Sequence, residues 1–196
     1  MRGALRAERP VHVLFTGVPS SAKTMFLLEL ARLGAPYILG SQATKAGIAE
    51  VLFDLEPQLL LVDEIDRIGT KDIAILLSLM QPGIVSETKA GRCREVRLQT
   101  RVFAASNTTK MPRELLSRFM VLFFKPYSRE EFLEVTTHLL LRTEKVEPEI
   151  ASYVAHKAWE VRGVPDPREA VRIGRLAKSR AAVDRVCEVL LKYSVS

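Results

Sequence analysis

The stretch PVHVLFTGVPSSAKTMFLLELARLG (residues 10–34) decides the fold. Its first eight residues form a short apolar run, rich in β-branched types and ending in glycine, the pattern of a buried strand. KTMFLLELARLG (23–34) then repeats apolar residues at helical spacing and closes at Gly34. Between them, GVPSSAKT (17–24) follows the phosphate-loop pattern G-x-x-x-x-G-K-[ST] at Gly17, Lys23 and Thr24, with Ala22 where the pattern has its second glycine. A strand, a tight loop and a helix in that order aim backbone N–H groups at one point, which suits a phosphate. Val18, Pro19, Ser20, Ser21 and Ala22 complete the wrap and Met25 follows it. Lys23 is placed to reach β- and γ-phosphates, and Thr24 offers a hydroxyl to Mg²⁺. The alternative is an ordinary turn with a lysine at a helix start. If residue 22 is helical, with negative φ, its methyl group carries no backbone penalty and favours the helix by roughly 1 kcal/mol.

A second element lies roughly 40 residues downstream. LLLVDEID (59–66) is an apolar strand that turns abruptly acidic at Asp63 and Glu64. Carboxylates emerging from a buried strand need a partner, because buried charge is costly without one. A Mg²⁺–nucleotide is such a partner. Asp63 would hold the metal's water shell, and Glu64 would orient and polarise the attacking water. The plainer reading is acids gathered at a helix N-terminus. FAASN (103–107) ends a later strand at Asn107, a group able to hydrogen-bond the γ-phosphate or that water, or else to cap the following turn.

Strand-like runs at 35–40, 58–64, 100–107 and 119–124 alternate with helical periods at 44–55, 71–81 and 112–118, which predicts an α/β fold with a parallel sheet. GIVSETKAGRCREVRLQ (83–99) alternates about Ala90-Gly91 and reads as a β-hairpin. After Lys125-Pro126 only helical periods remain, at 129–142, 148–161, 166–178 and 182–193. The reading is therefore a core over 1–125, with the hairpin near 84–101, and an all-helical unit over 126–196. The 196 residues are 47% hydrophobic, enough for a real core. No apolar run approaches the roughly 18 residues of a membrane span. Two distant cysteines suit a reducing, cytoplasmic setting. The net charge is +6, and residues 1–125 carry most of it, 17 Lys+Arg against 12 Asp+Glu. Such a balance favours polyanionic partners.

Taken together, SAKT, LLVDEID, LLSLMQPGIVSETKAG and ELLSRF resemble an AAA+ ATPase, in particular the small archaeal RuvB-like (Holliday junction helicase-like) ATPases whose motor is similar to that of MCM helicases. The similarity runs through nearly the whole chain. MCM-type loops carry A-K-S/T, in keeping with Ala22. The resemblance implies a P-loop NTPase sheet of order 5-1-4-3-2 with a four-helix lid, ATP/ADP and Mg²⁺ as ligands, and a ring-shaped homo-oligomer with shared sites. It makes Arg118 the arginine finger acting on a neighbour's nucleotide, which suits the charge on a transferring phosphoryl group. Pairing with Glu114 is the local alternative. It makes Arg168 a sensor at the start of a lid helix, where a cation is otherwise unfavoured.

The same resemblance aims the hairpin at DNA, with Lys89-Ala90-Gly91 as a tip and Lys89, Arg92 and Arg94 as contacts. Five basic residues between Lys89 and Arg101 face one acid, Glu95. Cations there suit salt-dependent, sequence-blind phosphate contacts. They also suit a solvated edge hairpin, and MoxR-type relatives use related inserts to remodel proteins. Only Met1–Pro10 precede the first strand, so adenine would rest mainly on the lid. The leading expectation is a Mg²⁺-dependent ATP-hydrolysing motor acting on DNA. The alternatives are a MoxR-like protein remodeller and a low-turnover nucleotide-binding module.

Overall fold

The structure, a computed structural model, describes residues 2–89, 92–162 and 166–193. The chain divides into two compact units, Met1–Phe124 and Lys125–Ser196.

The first unit is built on β1 (His12–Gly17), buried at every position. Around it stand β2 (Tyr37–Leu39), β3 (Leu59–Asp63), β6 (Arg101–Ser106) and β7 (Phe119–Phe124), all parallel, in the order β2-β3-β6-β1-β7. Side chains alternate across a strand, so each of the three central strands, β1, β3 and β6, feeds two cores. Val13 and Phe15 face one side with Leu61, Phe103 and Ala105. There they meet Leu27 and Leu30 of α2 (Lys23–Ala31) and Ala4 and Leu5 of α1 (Arg2–Arg6). Leu14, Val62 and Ala104 face the other side, against α3 (Lys45–Leu55), α4 (Ile73–Met80) and the short α5 (Arg113–Leu116). Burial on both faces explains why β1, β3 and β6 read as apolar runs, whereas the edge strand β7 leaves residues 120–123 exposed.

β4 (Ile84–Lys89) and β5 (Arg92–Arg97) form a separate antiparallel hairpin whose base, Val85 and Leu98, enters the α3–α4 core. Residues 90 and 91 lie outside the described residues. Arg101 is the first residue of β6 rather than part of the hairpin. Its guanidinium donates to the carbonyls of Ala4 and Ala7, fastening α1 to the sheet.

The second unit is helical: α6 (Arg129–Thr143), α7 (Pro148–Arg162), α8 (Pro167–Leu176) and α9 (Arg180–Tyr193) surround Phe132, Leu140, Val154, Ile173 and Val183. A reciprocal capping box, Ser128 with Glu131, starts α6. Asp166 caps α8, with Pro167 in its first turn.

One polar group inside the first unit governs a pH dependence. His12 is 7% exposed. Its Nδ1 accepts from the Val102 N–H at 3.1 Å, and its Nε2 lies 3.2 Å from the Met80 carbonyl. Both bonds form together only in the neutral Nε2–H tautomer. Burial holds the ring's pKa below its ordinary value; the bond to Met80 works against this, and the Arg118 charge works with it. Below about pH 6.5 the unfolded chain takes up a proton that the folded one resists, so stability falls as pH falls. In urea unfolding, His12→Phe is expected to lose about 1–3 kcal/mol at pH 7.5 and to lose the His12 component of the slope between pH 7 and 5. Equal slopes for the two proteins would contradict this assignment.

Candidate functional site

The sheet's carboxyl edge gathers the residues singled out above. β6 pairs with β1 through Leu14↔Ala104 and Thr16↔Ser106, and with β3 through Val62↔Ala104. Counting on from that shared row, Asp63 ends β3 with Glu64 just after it, Asn107 follows β6 and Gly17 ends β1. Adjacent strands lie about 4.8 Å apart. The loop, the acid pair and the amide therefore occupy three neighbouring positions on one edge, where open α/β sheets place their ligands.

The loop is tightly bent. Gly17 has φ 144°, and a Cβ there would overlap the carbonyl oxygen of Phe124. Ser20 and Ala22 both stand at φ 63°. Residue 22 is therefore left-handed rather than helical, at ψ 7°, just ahead of α2. The condition under which alanine carries no backbone penalty is not met: an L-residue there costs on the order of 1 kcal/mol relative to glycine. Lys23 is 6% exposed. Its ammonium donates to the carbonyls of Gly17 at 3.0 Å and Val18 at 2.6 Å, and to Ser21 Oγ at 3.1 Å. Thr24 and Met25 are exposed on the first turn of α2. That turn carries no acid, and the charge beside it is the cationic Lys23.

Asp63 is buried with both oxygens engaged. Tyr37 donates its hydroxyl to Oδ2 at 2.7 Å, and the Glu64 N–H donates to Oδ1 at 2.9 Å. Burial, followed by the bond to Asp63, pushes the Tyr37 pKa upward. Glu64 itself is left-handed, φ 51° and ψ 43°, and opens a 3₁₀ turn over Ile65–Arg67. Its carboxylate lies 3.6 Å from Arg67 Nε. Asn107 is exposed; Ser106, just before it, is buried and bonded to Asp66. Tyr37, Asp66 and Ser106 had no role in the sequence reading. Asp66 and Ser106 fall inside the DEID and AASN stretches, but only the fold reveals that they meet.

Fit to a Mg²⁺–nucleotide follows from the donors. Among the described residues no group of three or more His, Cys, Asp or Glu side chains could cage a metal. Mg²⁺ bound by one or two protein oxygens, with phosphates and waters for the rest, needs no such cage. Thr24 and Asp63 suffice as those oxygens.

Arg118 lies elsewhere. It immediately precedes β7, whose first residue pairs with His12 and whose last pairs with Gly17. That span is about 17 Å at roughly 3.3 Å per residue. Arg118 therefore sits at the amino edge. Its Nη1 donates to the carbonyls of Leu77 at 2.6 Å and Gln81 at 2.8 Å, at the C-terminus of α4. A cation is favoured there. It borders a pocket of about 460 Å³ that also touches Glu114, but it bonds to the carbonyls instead of to that acid.

Of the hairpin cations, Arg94 is already engaged. It faces Glu87 across the ladder with Nη2 2.7 Å from Oε2, and its guanidinium lies 4.2 Å from the centre of the Phe53 ring on α3. This braces the hairpin to the core, while the Arg94 side chain stays 44% exposed. Lys89 and Arg92 form the last pair of the ladder. The Ala90-Gly91 part of the tip lies outside the described residues. In the second unit, Arg168 meets Asp166 Oδ1 at 3.2 Å, and that carboxylate offsets the cation's unfavourable place at a helix start.

No protein-family profile matches the chain. The minichromosome maintenance protein MCM of Saccharolobus solfataricus is 25% identical over 168 residues, covering 69% of this chain and 24% of that protein. The zygotic DNA replication licensing factor mcm6-A of Xenopus laevis is 29% identical over 115 residues, covering 50% and 14%. The Thermotoga maritima RuvB Holliday junction branch migration motor superposes with a TM-score of 0.68 at 21% identity, over 96% of this chain and 64% of that one. Its P216G mutant gives 0.71 at 21% identity, over 96% and 65%. The chain spans about a quarter or less of the MCM-type relatives and just under two thirds of the RuvB chains. It has the RuvB fold and resembles AAA+ ATPases of the RuvB and MCM kind. Among the described residues, no helix is long and apolar enough to cross a membrane.

The loop geometry yields one test. Ala22→Gly relieves the left-handed strain at the cost of a freer unfolded chain, and is expected to raise stability by about 0.5–1 kcal/mol in urea unfolding. A loss of stability would mean that residue 22 does not adopt this conformation.

Proposed function

We propose that this chain is the ATP-hydrolysing motor module of an oligomer that acts on DNA. The observation that carries the proposal is the division of the site between the two edges of one sheet. The loop, Asp63, Glu64 and Asn107 share the carboxyl edge, whereas Arg118 stands about 17 Å away. A nucleotide at the first edge then needs Arg118 from a second copy.

In this reading, Lys23 exchanges the carbonyls of Gly17 and Val18 for β- and γ-phosphate oxygens. The backbone N–H groups of Val18 and of residues 20–24 wrap the phosphates, Pro19 having none to give. Thr24 and Asp63 would hold Mg²⁺, which would supply positive charge to neutralise the phosphates. Glu64 accepts a hydrogen bond from the attacking water and polarises it. Asn107 donates its amide N–H to the γ-phosphate or accepts from that water. Arg118 of the neighbour stabilises charge on the phosphoryl group in flight.

The DNA assignment rests on the names carried by the MCM and RuvB relatives and on the basic excess of residues 1–125. Lys89, Arg92 and Arg94 are the hairpin cations assigned to it. The preference over protein remodelling is tested by hydrolysis with and without branched DNA across a salt series. Stimulation that fades with salt supports DNA, and indifference to DNA contradicts it.

Two outcomes test the ATPase itself. Glu64→Gln is expected to bind ATP but hydrolyse it at least about a hundredfold more slowly. Arg118→Ala is expected to lose hydrolysis by about 10³-fold, and to regain part of it when mixed with Glu64→Gln, each chain supplying what the other lacks. Mixtures no more active than either variant alone would rule out the shared site.

A further inference from the structure

Resting on that reading, one buried hydrogen bond ties the two water-handling residues together. The Ser106 hydroxyl is at the last position of β6, in a residue 2% exposed. It has one proton and two close acceptors: Asp66 Oδ1 at 2.6 Å and the Thr108 carbonyl at 2.6 Å. The carboxylate is the stronger acceptor, and 2.6 Å is the length of a charge-assisted O–H···O⁻ bond. The same oxygen accepts from the Thr108 N–H at 3.0 Å. Ser106 thereby holds both ends of the tight turn that has Asn107 at its middle.

Asp66 is the second residue after Glu64, within the 3₁₀ turn that Glu64 opens. That turn is fixed from the other side as well. A Cβ on Gly40 would overlap the Glu64 carbonyl oxygen, so this backbone contact admits only glycine. Glu64 is left-handed besides, a conformation that persists only where its surroundings impose it. The Asp66–Ser106 bond is the side-chain link from the Glu64 turn to the Asn107 turn.

We infer that Asp66 and Ser106 are positioning residues that set the spacing between the Glu64 carboxylate and the Asn107 amide, and so the place of the attacking water. Neither touches the reacting atoms. Their effect passes through Asn107 and Glu64.

The test uses the full chain in steady-state ATP hydrolysis, first checked for loss of activity in Glu64→Gln. That check isolates failure of the ATPase reading from failure of this one. Ser106→Ala and Asp66→Ala are expected to lower kcat about tenfold with KM for ATP within about twofold, since misplacement of a positioned group acts on the chemical step. In an Asn107→Ala background, Ser106→Ala is expected to add less than about twofold. Asp66→Asn retains an acceptor oxygen and is expected to stay within about threefold of the parent. A measurement independent of turnover accompanies these: hydrogen exchange across residues 106–110 quickens in Asp66→Ala and not in Asp66→Asn. The inference is overturned by an unchanged kcat in both alanine variants, by a full multiplicative loss in the Asn107→Ala background, or by Asp66→Asn failing as badly as Asp66→Ala. The last result would instead make Asp66 act through its charge.

Discussion

The pairing of β6 between β1 and β3 is the constraint on which the rest depends. The three strands run parallel, and their registers share the row Leu14, Ala104 and Val62. Asp63, Glu64, Asn107 and Gly17, where the loop begins, all follow within three residues of that row on the carboxyl side. A slip of one residue would turn every side chain of a strand to the opposite face, and two separate cores oppose it. The same direction of travel in β7 sends Arg118 to the far edge. A single geometric fact thus assembles the loop, acids and amide and separates them from the arginine proposed to complete them.

Backbone strain collects where the charges do. Of the five non-glycine residues with positive φ among the described residues, Ser20, Ala22 and Glu64 lie on the carboxyl edge. Each costs free energy that packing elsewhere must offset, and such residues cluster at sites that hold a ligand in a set geometry. The polar groups around them are densely tied. Lys23 is held by its own loop, Asp63 by Tyr37 and a backbone N–H, and Ser106 by Asp66. Binding a phosphate would exchange the Lys23 contacts for stronger ones without exposing a bare ammonium to the core.

Much of this was legible in the sequence because parallel strands buried on both faces leave unbroken apolar runs, as in HVLFTG and LLLVD. Loop, acid pair and amide were visible for the same reason: each follows such a run. Conformation within the loop was not. Residue 22 could be read as helical because alanine favours helices, and only the closed loop forces it to φ 63°. Long-range bonds were equally hidden. Nothing local ties Tyr37 to Asp63, Arg101 to α1, or Arg94 to Phe53, since these contacts join segments dozens of residues apart. A count of cations therefore overstated the hairpin's free charge. Of the five cations from Lys89 to Arg101, Arg101 belongs to β6 and Arg94 braces the hairpin against α3.

The central claim is that the carboxyl edge binds a nucleotide by its phosphates through Lys23 and the loop. Calorimetric titration of ATP with Mg²⁺ into the wild-type chain and into Lys23→Ala tests it most directly. The account predicts saturable binding at one site per chain, lost by at least about a hundredfold in the variant, since a buried charge-assisted contact is worth several kcal/mol. Equal affinity in the two proteins, or no binding by the wild type, would contradict it.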